Sequence, residues 1–318
     1  MRRARTARGR TRDERGFALL VVLLVLAMVA VVGAEFAYSM RLEASAVRAY
    51  KSGIIGTHLA ETALQQAIRE IVADAPYVVE DEDGLLTFYT IDRRPLPRLP
   101  RAKAEITGGQ YSYRITDEEA RLNLNTTSPD VVDRLLTTLG LEKETRDTIN
   151  DSIQDWRDPN DEHRANGAES DDYYLKLPVP YRAHNANLES ITELLQIKGI
   201  TPEIYNGKKD RSGLAALVTV RSTGTVNINT AGPEVLTALR LSTAQITAIQ
   251  QGRRNGGPYQ NVPGNFQVGG LGVSTTTFRV EAEGIVDERV AARLTAVVQK
   301  RTDANAPSVV ILEWSGTR

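Results

Sequence analysis

The sequence predicts an α+β protein: a long N-terminal helix able to cross a membrane, then a small β-rich domain interrupted by a large α-helical insertion. Three observations lead there. Residues 17–34 carry no charge. From Glu35 to Ala75 there is no proline, and apolar residues recur at helical intervals. Beyond that point two β-rich stretches flank a block of helical periodicity, the arrangement an insertion produces. At 318 residues the chain can hold more than one core. It has no cysteine, which excludes both a disulfide framework and a thiolate metal site.

The first element begins in a charge step. Residues 1–16 hold seven arginines against Asp13 and Glu14, a net +5 in a chain whose formal charge is −1, so the rest of the chain is acidic. The uncharged run that follows would rise about 27 Å as a helix, close to the hydrocarbon thickness of a bilayer. It can be a cleaved secretory signal, with a weak small-residue site near Ala34, a plain signal anchor, or a retained hydrophobic arm processed on its N-terminal side. In either anchor reading the arginines hold the N-terminus in the cytoplasm and send the body across. From Phe36 to Ile71 apolar positions alternate with Arg41, Glu43, Arg48, Lys51, Glu61 and Arg69, as on an amphipathic helix. One helix from Phe17 to about Ala75 follows, with Gly53 and Gly56 as possible bends.

Between 76 and 118 the character changes. "LLTFYTI" and "QYSYRIT" read as strands, and "RRPLPRLP" at 93–100 as a loop that no helix could cross. A helical block is predicted over 119–250, and within it "RLNLNTTSPDVVDRLLTTLGL" (121–141) and "VNINTAGPEVLTALRLS" (226–242) form an internal repeat. Each copy runs from a strand end through Asn-x-Asn-Thr to a proline and an acid that suit a first helical turn. "LESITELLQIKGIT" reads as a helix closed by Gly199, with Pro202 opening another. Helix-Gly-helix units of this kind resemble helix-hairpin-helix modules, some of which hold nucleic-acid phosphates. Residues 119–200 contain sixteen acids and nine bases, the wrong sign for a phosphate track, and Thr201 stands where such modules carry a second glycine. From 251 the chain is β-rich again, after a Gly, Pro and Asn-rich loop at 253–272; Arg289 to Lys300 fits strand or helix.

The junction "RGFALLVVLLVLA" resembles the class III leader of type IV pilins and pseudopilins. The resemblance implies that a prepilin peptidase cuts between Gly16 and Phe17 and that Phe17 becomes the methylated N-terminus. The family's usual glutamate at the fifth mature position is Val21 here. An unpartnered carboxylate in a bilayer costs about 3 kcal/mol, so its loss suits a tip or initiating subunit that lacks the relevant neighbour. Together with the repeat and the acidic loop described next, this makes the chain similar to the K-type minor pseudopilins of type II secretion.

That resemblance implies a leader over 1–16 and a transmembrane and stalk helix over 17–75. A pilin-like sheet domain is then split into 76–118 and 251–318 by a helical insertion of helix-hairpin-helix or SAM-like units at 119–250. It implies a non-enzymatic role at the tip of the pseudopilus, initiating assembly and helping to export folded proteins. Implied partners are the I-type and J-type minor pseudopilins, the major pseudopilin and the prepilin peptidase, with no nucleic acid. The implied location is the Gram-negative inner membrane in a single pass, N-terminus cytoplasmic and body periplasmic.

The segment "QDWRDPNDEHRANGAESDDYY" (154–174) offers many oxygen donors and a lone histidine, which suits a hard cation and not zinc or copper. Read by itself it is a solvated acidic loop without EF-hand spacing. The resemblance to the K-type family's loop implies calcium, with Asp158, Asp161, Glu169, Asp171 and Asp172 as ligands. Catalysis finds little support: His58, His163 and His184 sit in unrelated contexts and no nucleophile motif occurs. Two other classes remain as alternatives, a DNA-binding competence or pilus-tip protein and a membrane-anchored calcium-dependent hydrolase.

Overall fold

The computed structural model describes residues 11–81, 83–266, 268–303 and 306–316, so most of the basic leader lies outside the described residues. Two compact units divide at Ile55 and Gly56. The first contains the greater part of helix α1 (Thr11–Ile71), which continues past Gly53 and Gly56 as one helix. Its apolar residues face outward all round, Phe17, Leu20, Leu24, Met28 and Val32 among them. A helix apolar on every side is one that lipid or other protein covers and water does not. The helix is long and apolar enough to cross a membrane once.

The second unit begins with the last four turns of α1. Leu59, Ala60, Ala63, Leu64, Ala67 and Ile71 are buried, a stripe at helical spacing. Strands β1 (Tyr77–Glu80) and β2 (Leu86–Tyr89) pair as a hairpin. β3 (Ala104–Ile106), β4 (Gly109–Asp117), β5 (Thr277–Val286), β6 (Arg289–Asp303) and β7 (Ala306–Gly316) form an antiparallel sheet in the order β7-β6-β5-β4-β3. Arg289 to Lys300 is therefore strand. β4 and β5 are neighbours in this sheet yet some 160 residues apart in sequence, because the helical block leaves at the end of β4 and returns at the start of β5. The helix crosses the sheet where Gly56 meets Gly284. A Cβ on Gly284 would lie 1.9 Å from the Gly56 carbonyl oxygen, and one on Gly56 would lie 2.6 Å from Ala291 Cβ. Gly56 thus permits close approach to the sheet.

The block holds α2 (Pro129–Thr138), α3 (Lys143–Arg157), α4 (Pro233–Ala238), α5 (Thr243–Gly256) and short helical turns at Pro202–Asn206 and Leu214–Leu217. Both repeat copies fold alike. Asn123 and Asn227 each accept the amide two residues on, from Asn125 and Asn229. Asn125 then clamps Leu188 by both its side-chain donor and acceptor, as Asn229 clamps Tyr259 and Val273. The second asparagine is a backbone clamp for a distant loop, which is why both copies need it.

Two expectations change. Ile191–Gln196 is a 3₁₀ helix and not an α-helix. The buried residues Ile191, Leu194, Ile197 and Ile200 repeat every third position, the period of the tighter helix. The expected limit at residue 250 falls inside α5, and Phe266 belongs to the block's core, so the block extends into the loop beyond.

Candidate functional site

The acidic loop hangs from the end of α3. Trp156, on its last turn, is buried against Tyr174 with ring centroids 5.2 Å apart, and Tyr181 stacks on Tyr174 at 5.3 Å. Trp156 Nε1 donates to Glu193, 3.2 Å away. Lys198 Nζ donates to the carbonyls of Asn166 and Gly167 at 3.2 and 2.8 Å. The aromatic cluster fixes both ends of the loop on the helical core, and this lysine holds its middle.

Asp155 is the pillar inside it. Its side chain is wholly buried and accepts from the Arg164 amide, from Arg164 Nη1 at 2.6 Å and from the Ala168 amide at 2.9 Å. Gly167 is obligatory at this packing, since a Cβ there would lie 1.8 Å from Asp155 Oδ2. The Arg164 guanidinium also lies 2.6 Å from Asp158 Oδ2. Burial opposes the charge on Arg164, but the hydrogen bonds and charges of Asp158 and Asp155 outweigh it and raise its pKa.

The five predicted ligands are not gathered round one point. Among the described residues no group of three or more His, Asp or Glu side chains is placed to share a metal ion. Asp158 is paired with Arg164, Asp161 accepts from Asn185 Nδ2 at 3.1 Å, and Asp172 accepts from the Glu169 amide at 2.8 Å. Asp171 is exposed. Glu169 differs from all of them. It is 1% exposed, and neither carboxylate oxygen has a hydrogen-bond partner. Burial, with the charges of Asp155, Asp158 and Asp161 added, pushes its carboxyl up to about 7. A buried carboxylate with two free oxygens beside other carboxylates is a costly arrangement that a divalent cation relieves. The donors are all oxygens, the type that calcium takes. Asp155 is one of the loop's oxygen donors but not one of the five expected ligands, and Arg164 is not among the expected site residues. A signal for them is the pairing of an acid at a helix end with an arginine nine residues on, three before Gly167.

At the other candidate position, Gly16 and Phe17 lie within α1, where a Cβ on Gly16 would meet nothing within 4 Å and Phe17 is 71% exposed. Among the described residues nothing packs against Gly16.

A long apolar N-terminal helix whose C-terminal turns cross an antiparallel sheet defines a pilin-like subunit, and the helical block entering between β4 and β5 marks it as one with a large insertion. The family described as type II secretion system protein K matches residues 115–209. The chain is 30% identical over 252 residues to the type II secretion system protein K of Pseudomonas aeruginosa, covering 72% of this chain and 68% of that one. It is 32% identical over 213 residues to that of Pectobacterium carotovorum and 30% identical over 206 residues to a putative one of Escherichia coli K12. Those last two matches span 60% of the relatives' length. A solved structure of the GspK-GspI-GspJ complex from the enterotoxigenic Escherichia coli type 2 secretion system shares the fold. Its TM-score is 0.62 at 18% identity, over 87% of this chain and 99% of that one. The chain belongs to the type II secretion system protein K family, the K-type minor pseudopilins.

Proposed function

We propose that this chain caps the pseudopilus of a type II secretion system, where it starts assembly and helps to move folded proteins through the outer membrane. The observation that carries this reading is Val21. It separates a terminal subunit from a repeating one, because a subunit with no neighbour above it has no partner for a buried glutamate. The bulk of the inserted block agrees with a position on which nothing stacks. The partners proposed are the I-type and J-type minor pseudopilins, in keeping with the solved complex of the same fold, and the major pseudopilin below them. The proposed setting is the inner membrane, with the N-terminus cytoplasmic and the body periplasmic. Calcium held by the 158–172 carboxylates, Glu169 foremost, orders the loop, and the role is structural, not catalytic.

The test is the N-terminal residue and mass of the protein from cells with and without prepilin peptidase. A peptidase-dependent start at N-methylated Phe17 is expected. A start near Glu35, or an uncut leader, would remove the chain from the pseudopilus.

A further inference from the structure

Arg164 is a cation already standing among the carboxylates proposed to hold calcium. Its guanidinium lies 2.6 Å from both Asp155 and Asp158. Glu169, the buried carboxylate beside them, has no partner. The arginine therefore neutralises part of the cluster and leaves the rest uncompensated. Asp158 is claimed twice, once by the guanidinium and once as a cation ligand, and the positive charge next to it opposes the approach of a divalent ion. Asp155 is not claimed twice. With the guanidinium gone it would keep the amides of Arg164 and Ala168, so its burial survives the exchange. Arg164 also has somewhere to go, since its side chain is 41% exposed.

Resting on the calcium reading above, we propose that Arg164 is a resident counter-ion that calcium displaces. In the metal-free loop its guanidinium bridges Asp155 and Asp158. On binding, Asp158 turns from the guanidinium to the cation while the Arg164 amide stays on Asp155. The loop then has two partly neutralised states and keeps its fold in both, and the affinity for calcium is set lower than the carboxylates alone would give.

The experiment is a calcium chloride titration by calorimetry on the full-length chain in detergent micelles, with thermal unfolding in chelator and in saturating calcium. Arg164→Gln is expected to tighten calcium binding about three- to tenfold, the size of a partly exposed ion pair released from competition. It should lower the melting temperature in chelator and leave it unchanged in calcium. Arg164→Lys, which keeps the charge, should bind closer to wild type than the glutamine variant does. Unchanged affinity in Arg164→Gln would make the arginine a bystander, and weaker affinity would make it a support for the bound ion; either result overturns the exchange. If neither wild type nor Arg164→Gln binds calcium, the calcium reading itself fails and the exchange with it. Binding by Arg164→Gln alone supports it in its strongest form.

Discussion

Gly140 and Arg240 occupy the same place in the two repeat copies, and they show how residue identity and backbone part company. Each follows its helix with a positive φ, +66° at Gly140 and +70° at Arg240. In both copies the amide of this residue donates to the third residue before it, Thr137 or Thr237, and the next amide donates back to Leu136 or Leu236. This is the Schellman ending, and glycine fits it without steric cost. Arginine does not, and Arg240 further opposes the charge of Arg134 nearby. Arg240→Gly should therefore stabilise the protein by about 1 kcal/mol, the left-handed penalty less the added freedom of the unfolded chain. Chemical denaturation of the full-length chain in detergent is the measurement, and a loss of stability would show that the Arg240 side chain contributes more than its backbone costs. The repeat itself was legible because Asn, Thr and Pro do the same local work in each copy. The equivalence of Gly140 with Arg240 was not, since the shared feature is a dihedral angle and not a residue type. Asp155 and Arg164 escaped for a similar reason. What makes them a pillar is burial and convergence across nine residues, and periodicity carries no record of that.

The last turn of α1 is tied to the sheet domain by a buried polar clamp that the amphipathic pattern did not disclose. Glu70 receives Arg101 Nε at 2.9 Å and Nη2 at 2.6 Å, with Tyr113 OH donating at 2.5 Å, while Arg101 Nη1 donates to the Leu86 carbonyl. Both charged side chains are under a tenth exposed. One residue each from α1, the segment just after the proline-rich loop and β4 thus meet at one point. Burial, with Glu70 beside it, drives the Tyr113 hydroxyl pKa upward, so that proton stays on at any physiological pH. Removing one partner strands the other charge, so Glu70→Ala should cost about 3–5 kcal/mol. Replacing both charges, Glu70→Leu with Arg101→Met, should cost far less, because nothing is then left buried and unpaired. Thermal unfolding of the two variants checks the ordering; a double variant as unstable as the single one would mean that the clamp holds the loop by geometry that apolar side chains cannot replace. Strands, the long helix and the loop at 93–100 were readable at this scale from alternation, periodicity and proline. Which residue beside that loop would be buried was not, because Arg101 is one of several arginines in its neighbourhood and only packing distinguishes it.

At the scale of the whole molecule the decisive feature is the joint where the helical block leaves the sheet and returns to it. Three consecutive acids, Asp117, Glu118 and Glu119, are all buried there. Asp117 accepts from Asn227, Thr230 and Thr275, Glu118 from Arg279, Arg121 and Thr219, and Glu119 from Thr276 Oγ1 and the Thr277 amide. Exit, return and block are therefore tied by one carboxylate run. The three do not share one charge state. Burial disfavours the charge on Glu118, but Arg121 and Arg279 together win and lower its pKa. Among the described residues no cation pairs with Glu119; burial, and then the charge of Asp117, push it up to about 8, and burial raises Asp117 as well. An acid raised from an ordinary value near 4.5 binds a proton in the folded state that the unfolded chain has already released. Its contribution to stability is therefore fully present below about pH 4.5 and declines as pH rises towards 8, the reverse of a salt-bridged carboxylate. Glutamine reproduces the protonated form, with one oxygen to accept and no charge to bury. The melting temperature of Glu119→Gln in detergent should thus approach that of wild type at pH 5 and exceed it by a growing margin up to pH 8.5. A constant margin across that range would assign the effect to packing alone, and a variant less stable at high pH would mean that Glu119 is ionised in the folded protein and needed as such.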